Sequence, residues 1–344
     1  MRALAALLVL ILAACSGPTA APSTTPDSIP SPSTAATTES TACQGARDPI
    51  AAPKGESITA AIGLGCEGGA VAVSGGSVWV VPHLDRVALR IDPETNTVVD
   101  RIPLGDRGPG AEIAATDDMV WASVSSPSYD YERLVRIDPT TGSVVAWVEA
   151  AAGFPVIGAG FVWATGSRGI YRIDPITNTV GAVIEAGECG VIPFDDRVFC
   201  IGPEVVVSID PTTDAVTPVP GAPTLGWPLE AVGGLIWGVD GESLWAFNPR
   251  TGQVAVDLRP PAGVAMWSPD AVVLDGTLWL TASSQPGDPF RTAPDRLVRV
   301  DPLKMVIDCV VETPNPEYGI TAGFGSIWFP VVRQPWLLRI DPAC

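Results

Sequence analysis

An aromatic residue set behind a β-branched or apolar one returns seven times along this chain, and that recurrence limits the fold more than any other feature. The aromatics are Trp79, Trp121, Trp163, Phe199, Trp237, Trp279 and Trp328, in segments such as GGSVWVV, DDMVWAS and DGTLWLT. Their successive spacings of 42, 42, 36, 38, 42 and 49 residues match the length of a four-stranded blade in a ring of repeats. With 35 Gly and 35 Pro in 344 residues, long helices are disfavoured and short strands joined by tight turns are favoured.

A second motif follows each aromatic, as in ALRIDPETNT, LVRIDPTTGS, IYRIDPITNT and VVSIDPTTDA. Alternating apolar residues such as Leu89 and Ile91 belong on one face of a strand. The Asp of each Asp-Pro can accept a turn hydrogen bond, and Pro pre-sets the next φ. Asn96, Gly142, Asn178, Asp214 and Gly252 then supply residues tolerant of the left-handed conformation. Each repeat therefore reads as an inner strand, an aromatic-bearing strand, an R-I-D-P strand and an outer strand.

The last repeat stops at Cys344, just after its Asp-Pro, with no outer strand. The segment ESITAAIGLG before the first repeat resembles an orphan outer strand. A ring closes if that N-terminal strand completes blade seven, which leaves no bare edge at the seam. The expected fold is an all-β, seven-bladed β-propeller over residues 43–344. Through V-W-V, R-I-D-P-x-T-N-T-V-V and I-P-L-G, the chain resembles the YVTN-type repeat propellers from about Gly55 to Cys344. That resemblance implies a fold and leaves function open, because function lives in sites grafted on folds.

Residues 1–14 read as a signal peptide: Arg2 is a positive start, Ala3 to Leu12 a short apolar core, and Ala13-Ala14 small residues before Cys15. The apolar run is well short of the ~20 residues a spanning helix needs. Leu12-Ala13-Ala14-Cys15 resembles a bacterial lipobox, which implies acylation of Cys15, palmitate included, and a lipid anchor on the extracytoplasmic face of the cell membrane. Residues 15–42 are rich in Ser, Thr, Pro and Ala and read as a disordered tether reaching ~30 Å.

The six cysteines left after Cys15 form an even set suited to disulfides in an oxidising compartment. Cys189 and Cys200 fall on neighbouring strands of blade four and are the first pair expected. A Cys43–Cys344 bridge would lock the ring, with Cys309 competing as the partner of Cys344. Cys66 and Cys309 are otherwise paired by elimination.

The connections between second and third strands share a face with those joining consecutive blades, and they are uneven. They are tight in blades three to five and long in blades two, six and seven, with a shorter one in blade one. These loops bring His83, Tyr129, Tyr131, Phe290, Arg291, Arg333 and Trp336 to one side of one face, the composition of a recognition patch. Six carboxylates, Glu67, Glu112, Glu188, Glu230, Asp270 and Glu317, fall near the inter-blade connections. They could hold Ca²⁺ or another divalent metal, or attract a cationic ligand. The Arg before I-D-P (Arg90, Arg136, Arg172, Arg299, Arg339) lies within a strand and reads as a partner in inter-blade ion pairs with carboxylates.

A formal charge of −18 disfavours nucleic acid and anionic headgroups. The membrane contact expected is therefore the lipid anchor alone, and the propeller is expected to be monomeric. The blade rhythm also resembles the virginiamycin B lyase-like propellers, whose activity implies several histidines and an acid with a channel metal. Here His83 is the single histidine. The chain therefore reads as a binding or scaffolding module for a protein or small-molecule ligand. The alternative is a metal-dependent hydrolase or lyase, lactonase-like or virginiamycin B lyase-like, with its site at the channel mouth.

Overall fold

The computed structural model describes residues 51–82, 85–105, 110–125, 132–150, 152–220, 222, 225–240, 243–266, 270–284, 295–314, 319–331, 333–342 and 344. Its strands form seven four-stranded antiparallel sheets, six of them built from consecutive strands. In blade one these are Gly69–Ser74, Ser77–Pro82, Val87–Asp92 and Thr97–Pro103. The innermost strand of each blade touches that of the next, and blade seven touches blade one, so the ring is closed. The fold is a seven-bladed β-propeller.

Blade seven is completed from the other end of the described chain. Its inner three strands are Thr321–Gly323, Ser326–Pro330 and Trp336–Ile340, and its outer strand is Ile58–Gly63. The closing pair runs antiparallel from Ile58 opposite Ile340 to Gly63 opposite Trp336. An open blade would expose a row of unpaired N–H and C=O groups, and the borrowed strand satisfies them.

The core lies between blades, because the second and third strands of each sheet are apolar on both faces. The seven blade aromatics are all buried, and each packs into the blade that follows. Trp79 joins Val120, Ala122, Val135 and Ile137 of blade two. Trp328 joins Val78, Val80 and Leu89 of blade one. The indole N–H of Trp79, Trp163, Trp237 and Trp328 donates to the carbonyl five residues back, at 3.0–3.3 Å, and so ties the first hairpin of its blade.

The Asp-Pro turns follow the expected chemistry. Asp92 Oδ1 accepts from the N–H groups of Glu94 and Thr95, and Asp138, Asp174, Asp210, Asn248 and Asp301 accept from the same two positions of their own turns. The left-handed residues are Asn96, Gly142, Asn178, Asp214 and Gly252, together with Met305 at φ 55° in blade six. Met305 does not look like a turn residue. It is held because its side chain packs on the core between blades five and six, while Lys304 Nζ donates to Asp301 Oδ2 at 2.6 Å.

The repeated arginines join blades, largely through carbonyls rather than the carboxylates expected. Each stands directly across from its blade's aromatic: Trp79 opposite Arg90, Trp121 opposite Arg136, Trp328 opposite Arg339. From there Arg90, Arg136, Arg172 and Arg339 donate to the prolyl carbonyl of the next blade's Asp-Pro turn, at Pro139, Pro175, Pro211 and Pro93. Among the described residues a carboxylate joins these four at Arg172, whose guanidinium lies 3.0 Å from Asp214. Arg299 instead pairs with Asp308 of its own blade at 2.8 and 3.1 Å.

Cys189 and Cys200 are bridged, with Cα atoms 5.3 Å apart. Cys344 is bonded to Cys309, not to Cys43, and the pairing of Cys66 with Cys309 falls with it. The reason is strand phase. On the outer strand of blade six, Val306–Glu312, Cys309 and Val311 point inward and pack on the core shared with blade seven, where Cys344 ends. Cys66 is also disulfide-bonded, and Cys43 lies outside the described residues.

Candidate functional site at the channel mouth

The inner strand of every blade faces the central axis, and its entry end opens on the face that carries the inter-blade connections. One position recurs there, nine residues before each blade aromatic: Ala70, Glu112, Phe154, Gly190, Pro228, Asp270 and Gly319. Five of these seven line a single cavity of about 750 Å³, which spans blades two to six.

Local hydrogen bonds fix the two acids of this set in the same way. The N–H of Glu112 donates to Ser123 Oγ at 3.0 Å, and the N–H of Asp270 to Thr281 Oγ1 at 2.9 Å. Both hydroxyls lie two residues after the blade aromatic, so a Trp-x-Ser/Thr segment aligns the strand entry. Asp270 Oδ2 also accepts the N–H of Gly319 at 2.6 Å, which ties blade six to blade seven. Burial raises the Asp270 carboxyl above the ordinary carboxylate range, against that hydrogen bond.

Blades three and five supply aromatics instead. Their inner strands bulge between Gly153 and Val156 and between Pro228 and Glu230. Pro155 stands in the first bulge and Pro228 directly before the second, where the channel-side edge needs no N–H donor. The residue before each proline is turned outward: Phe154 is 64% exposed and held at φ 48°, and Trp227 is 43% exposed. A non-glycine residue at positive φ is uncommon and marks a position the surroundings hold in place. Between them, blade four contributes Glu188, which is exposed, and Cys189, whose bridge to Cys200 pins the entry. Gly190 is needed here, because a Cβ at that position would stand 2.7 Å from the Pro228 ring.

The six acids read from sequence thus part company. Glu112, Glu188 and Asp270 line the cavity, Glu67 and Glu230 do not, and Glu317 lies outside the described residues. Glu230 stands across from Trp237, at the register position filled in the other blades by Ala72, Ala114, Val156, Ile192, Val272 and Thr321. Burial pushes its carboxyl up to about 7. Among the described residues, no three His, Cys, Asp or Glu side chains are arranged to hold a metal ion.

Of the proposed recognition patch, His83, Tyr129, Tyr131, Phe290 and Arg291 lie outside the described residues. Arg333 is exposed, at φ 55°, in the turn between the second and third strands of blade seven. Trp336 opens the third strand and packs half-buried against the core of blade seven, its ring 3.7 Å from where a Cβ on Gly63 would sit. Phe154 and Trp227 were not singled out from sequence. Their signal is present nonetheless: Phe-Pro stands nine and eight residues before its blade aromatic, and Trp-Pro ten and nine.

No protein-family model and no curated protein sequence matches the chain. Solved structures do. One is a chain of the mitotic checkpoint complex, at TM-score 0.61 and 11% identity over 91% of this chain and 100% of that one. Another is BamB from Moraxella catarrhalis, at TM-score 0.54 and 12% identity over 82% of this chain and 99% of that one. A third is the extracellular domain of BT4673 from B. thetaiotaomicron, at TM-score 0.53 and 13% identity, over 83% of this chain and 40% of that one. The likeness is one of fold.

Proposed function

We propose that this protein is a binding or scaffolding propeller of the YVTN-repeat type, anchored through acylated Cys15 on the extracytoplasmic face of a membrane. On this reading, residues 1–14 are its signal peptide and residues 15–42 its tether. The observation that carries the binding reading is the mouth cavity of about 750 Å³, walled by exposed aromatics and carboxylates on rigid strand ends. That volume lies in the range of small-molecule and side-chain pockets. The disulfides at Cys189–Cys200 and Cys309–Cys344 agree with an oxidising compartment, and so with the lipobox at Cys15. Among proteins of similar fold, one was solved within an assembly, the mitotic checkpoint complex, and one is an extracellular domain.

The test uses a photo-crosslinking phenylalanine analogue placed at Trp227 or, on the opposite face, at Ile176, which is 86% exposed in the blade-three turn. After illumination of intact cells, intact-mass analysis reads adducts of any size. Adducts at position 227 and not at 176 are expected. No adduct at 227, or the same adducts from both positions, would remove the mouth as the binding site.

A further inference from the structure

We infer that the mouth cavity is built for an organic cation, a guanidinium or alkylammonium group carried on an apolar stem. The inference rests on the binding reading above and names the ligand class for that site.

The charge of the lining comes first. Glu112 and Glu188 contribute carboxylates, Asp270 adds an acid whose carboxyl burial raises above the ordinary range, and no Lys, Arg or His is among the described lining residues. The whole chain carries −18, so the long-range field at the mouth adds to the local one. An anionic ligand would meet repulsion with no compensating cationic side chain among the described lining residues. A neutral apolar ligand would strip water from carboxylates without replacing their hydrogen bonds, which is costly.

The aromatics come second, and they are independent of the charge. Seven blade aromatics are buried in this fold, whereas Phe154 and Trp227 stand out into the cavity from blades three and five. They flank blade four, whose entry presents Glu188. Aromatic faces next to carboxylates form a recognition chemistry for cations that keep an apolar body: the ring quadrupole attracts the charge while the stem covers the ring. Pro155, Pro228, Leu229 and Ile170 complete an apolar floor for such a stem. A bare metal ion fits less well, since metal-holding groups do not gather among the described residues and aromatic walls offer it no oxygen.

The experiment is calorimetric titration of the full, detergent-held protein with agmatine as a free alkylguanidinium and acetyl-Gly-Arg-Gly-amide as a peptide-borne one. Hexanoate and benzyl alcohol serve as anionic and neutral controls. Agmatine or the peptide is expected to bind with a Kd on the order of 0.1–1 mM, more weakly as salt rises, and hexanoate not at all. Whichever cation binds more tightly identifies the source. Trp227→Leu and Glu188→Gln each weaken that binding about fivefold or more, the scale of one cation–π or charge-assisted contact. Both side chains are exposed, so both variants should melt like the wild type. Equal affinity for benzyl alcohol and agmatine, or cation binding untouched by both substitutions, overturns the inference. If benzyl alcohol binds and Trp227→Leu abolishes it while no cation binds, the cation assignment falls and the mouth remains a binding site. Silence from every probe removes the cation assignment, and the crosslinking at position 227 then decides the site separately.

Discussion

Replacing Glu230 by Gln should make the propeller more stable at alkaline pH and flatten its pH dependence. Glu230 holds a register position that six other blades fill with Ala, Val, Ile or Thr, and it faces the indole of Trp237 in the layer between blades five and six. Burial raises its carboxyl from 4.5 to about 7, opposed only by the Ala231 N–H, which donates to Oε2 at 3.2 Å. Because the folded value lies above the unfolded one, the stability this group contributes is full below pH 4.5. It is lost as pH rises through about 7. The full swing is about 3 kcal/mol, from 1.36 kcal/mol per unit. About 2 kcal/mol of it falls between pH 5.5 and 8.5, where ordinary carboxylates are already ionised. Glutamine keeps the shape and has no charge to desolvate. Urea unfolding of wild type and Glu230→Gln at both pH values measures the difference, and His83, common to both proteins, cancels. If the two proteins lose the same stability between pH 5.5 and 8.5, the carboxyl is not paying a burial cost and the reasoning fails.

Arg339→Ala should cost about 2–3 kcal/mol in urea melts, since the guanidinium bonds Pro93 O of blade one at 2.7 Å and Ser326 Oγ of its own blade at 2.9 Å. The same change at Arg299, which pairs only within its blade, should cost under about 1 kcal/mol. Reducing or replacing Cys309–Cys344, which spans 35 residues, should lower stability by about 3–4 kcal/mol in the chain-entropy account. Unchanged melting after Cys309→Ser would show that the closing strand alone secures the terminus. Cys15→Ser should move the protein from the membrane fraction to the soluble extracytoplasmic one and abolish incorporation of labelled palmitate. Retention in the membrane would refute the anchor.

Much of the fold is local chemistry repeated, and repetition is legible in a sequence. An aromatic every 36 to 49 residues, an Asp-Pro turn after it and a left-handed residue after that are short-range requirements of a strand–turn–strand, so they appear as motifs at Trp79, Asp92 and Asn96 and again in later blades. The borrowed strand was legible too, because one missing outer strand at Cys344 and one orphan at Ile58–Gly63 can only be reconciled by pairing them. Cys189 and Cys200 lie 11 residues apart on paired strands, close enough for sequence order to place them side by side.

What the tertiary structure alone decided are the contacts between blades, where neighbours in space are distant in sequence. Strand phase turned Cys309 toward the terminus of blade seven, and no spacing predicts that. The arginines reach carbonyls of the following turn, which carry no side-chain signature to read. At the mouth, position nine before the aromatic is a mere column of unlike residues until the ring bends the column into a circle. Only then do Phe154 and Trp227 meet Glu188 and Asp270 around one cavity, while Glu230 stands across from Trp237 away from it. Periodicity determined the blades; closure of the ring determined which of their side chains share a site.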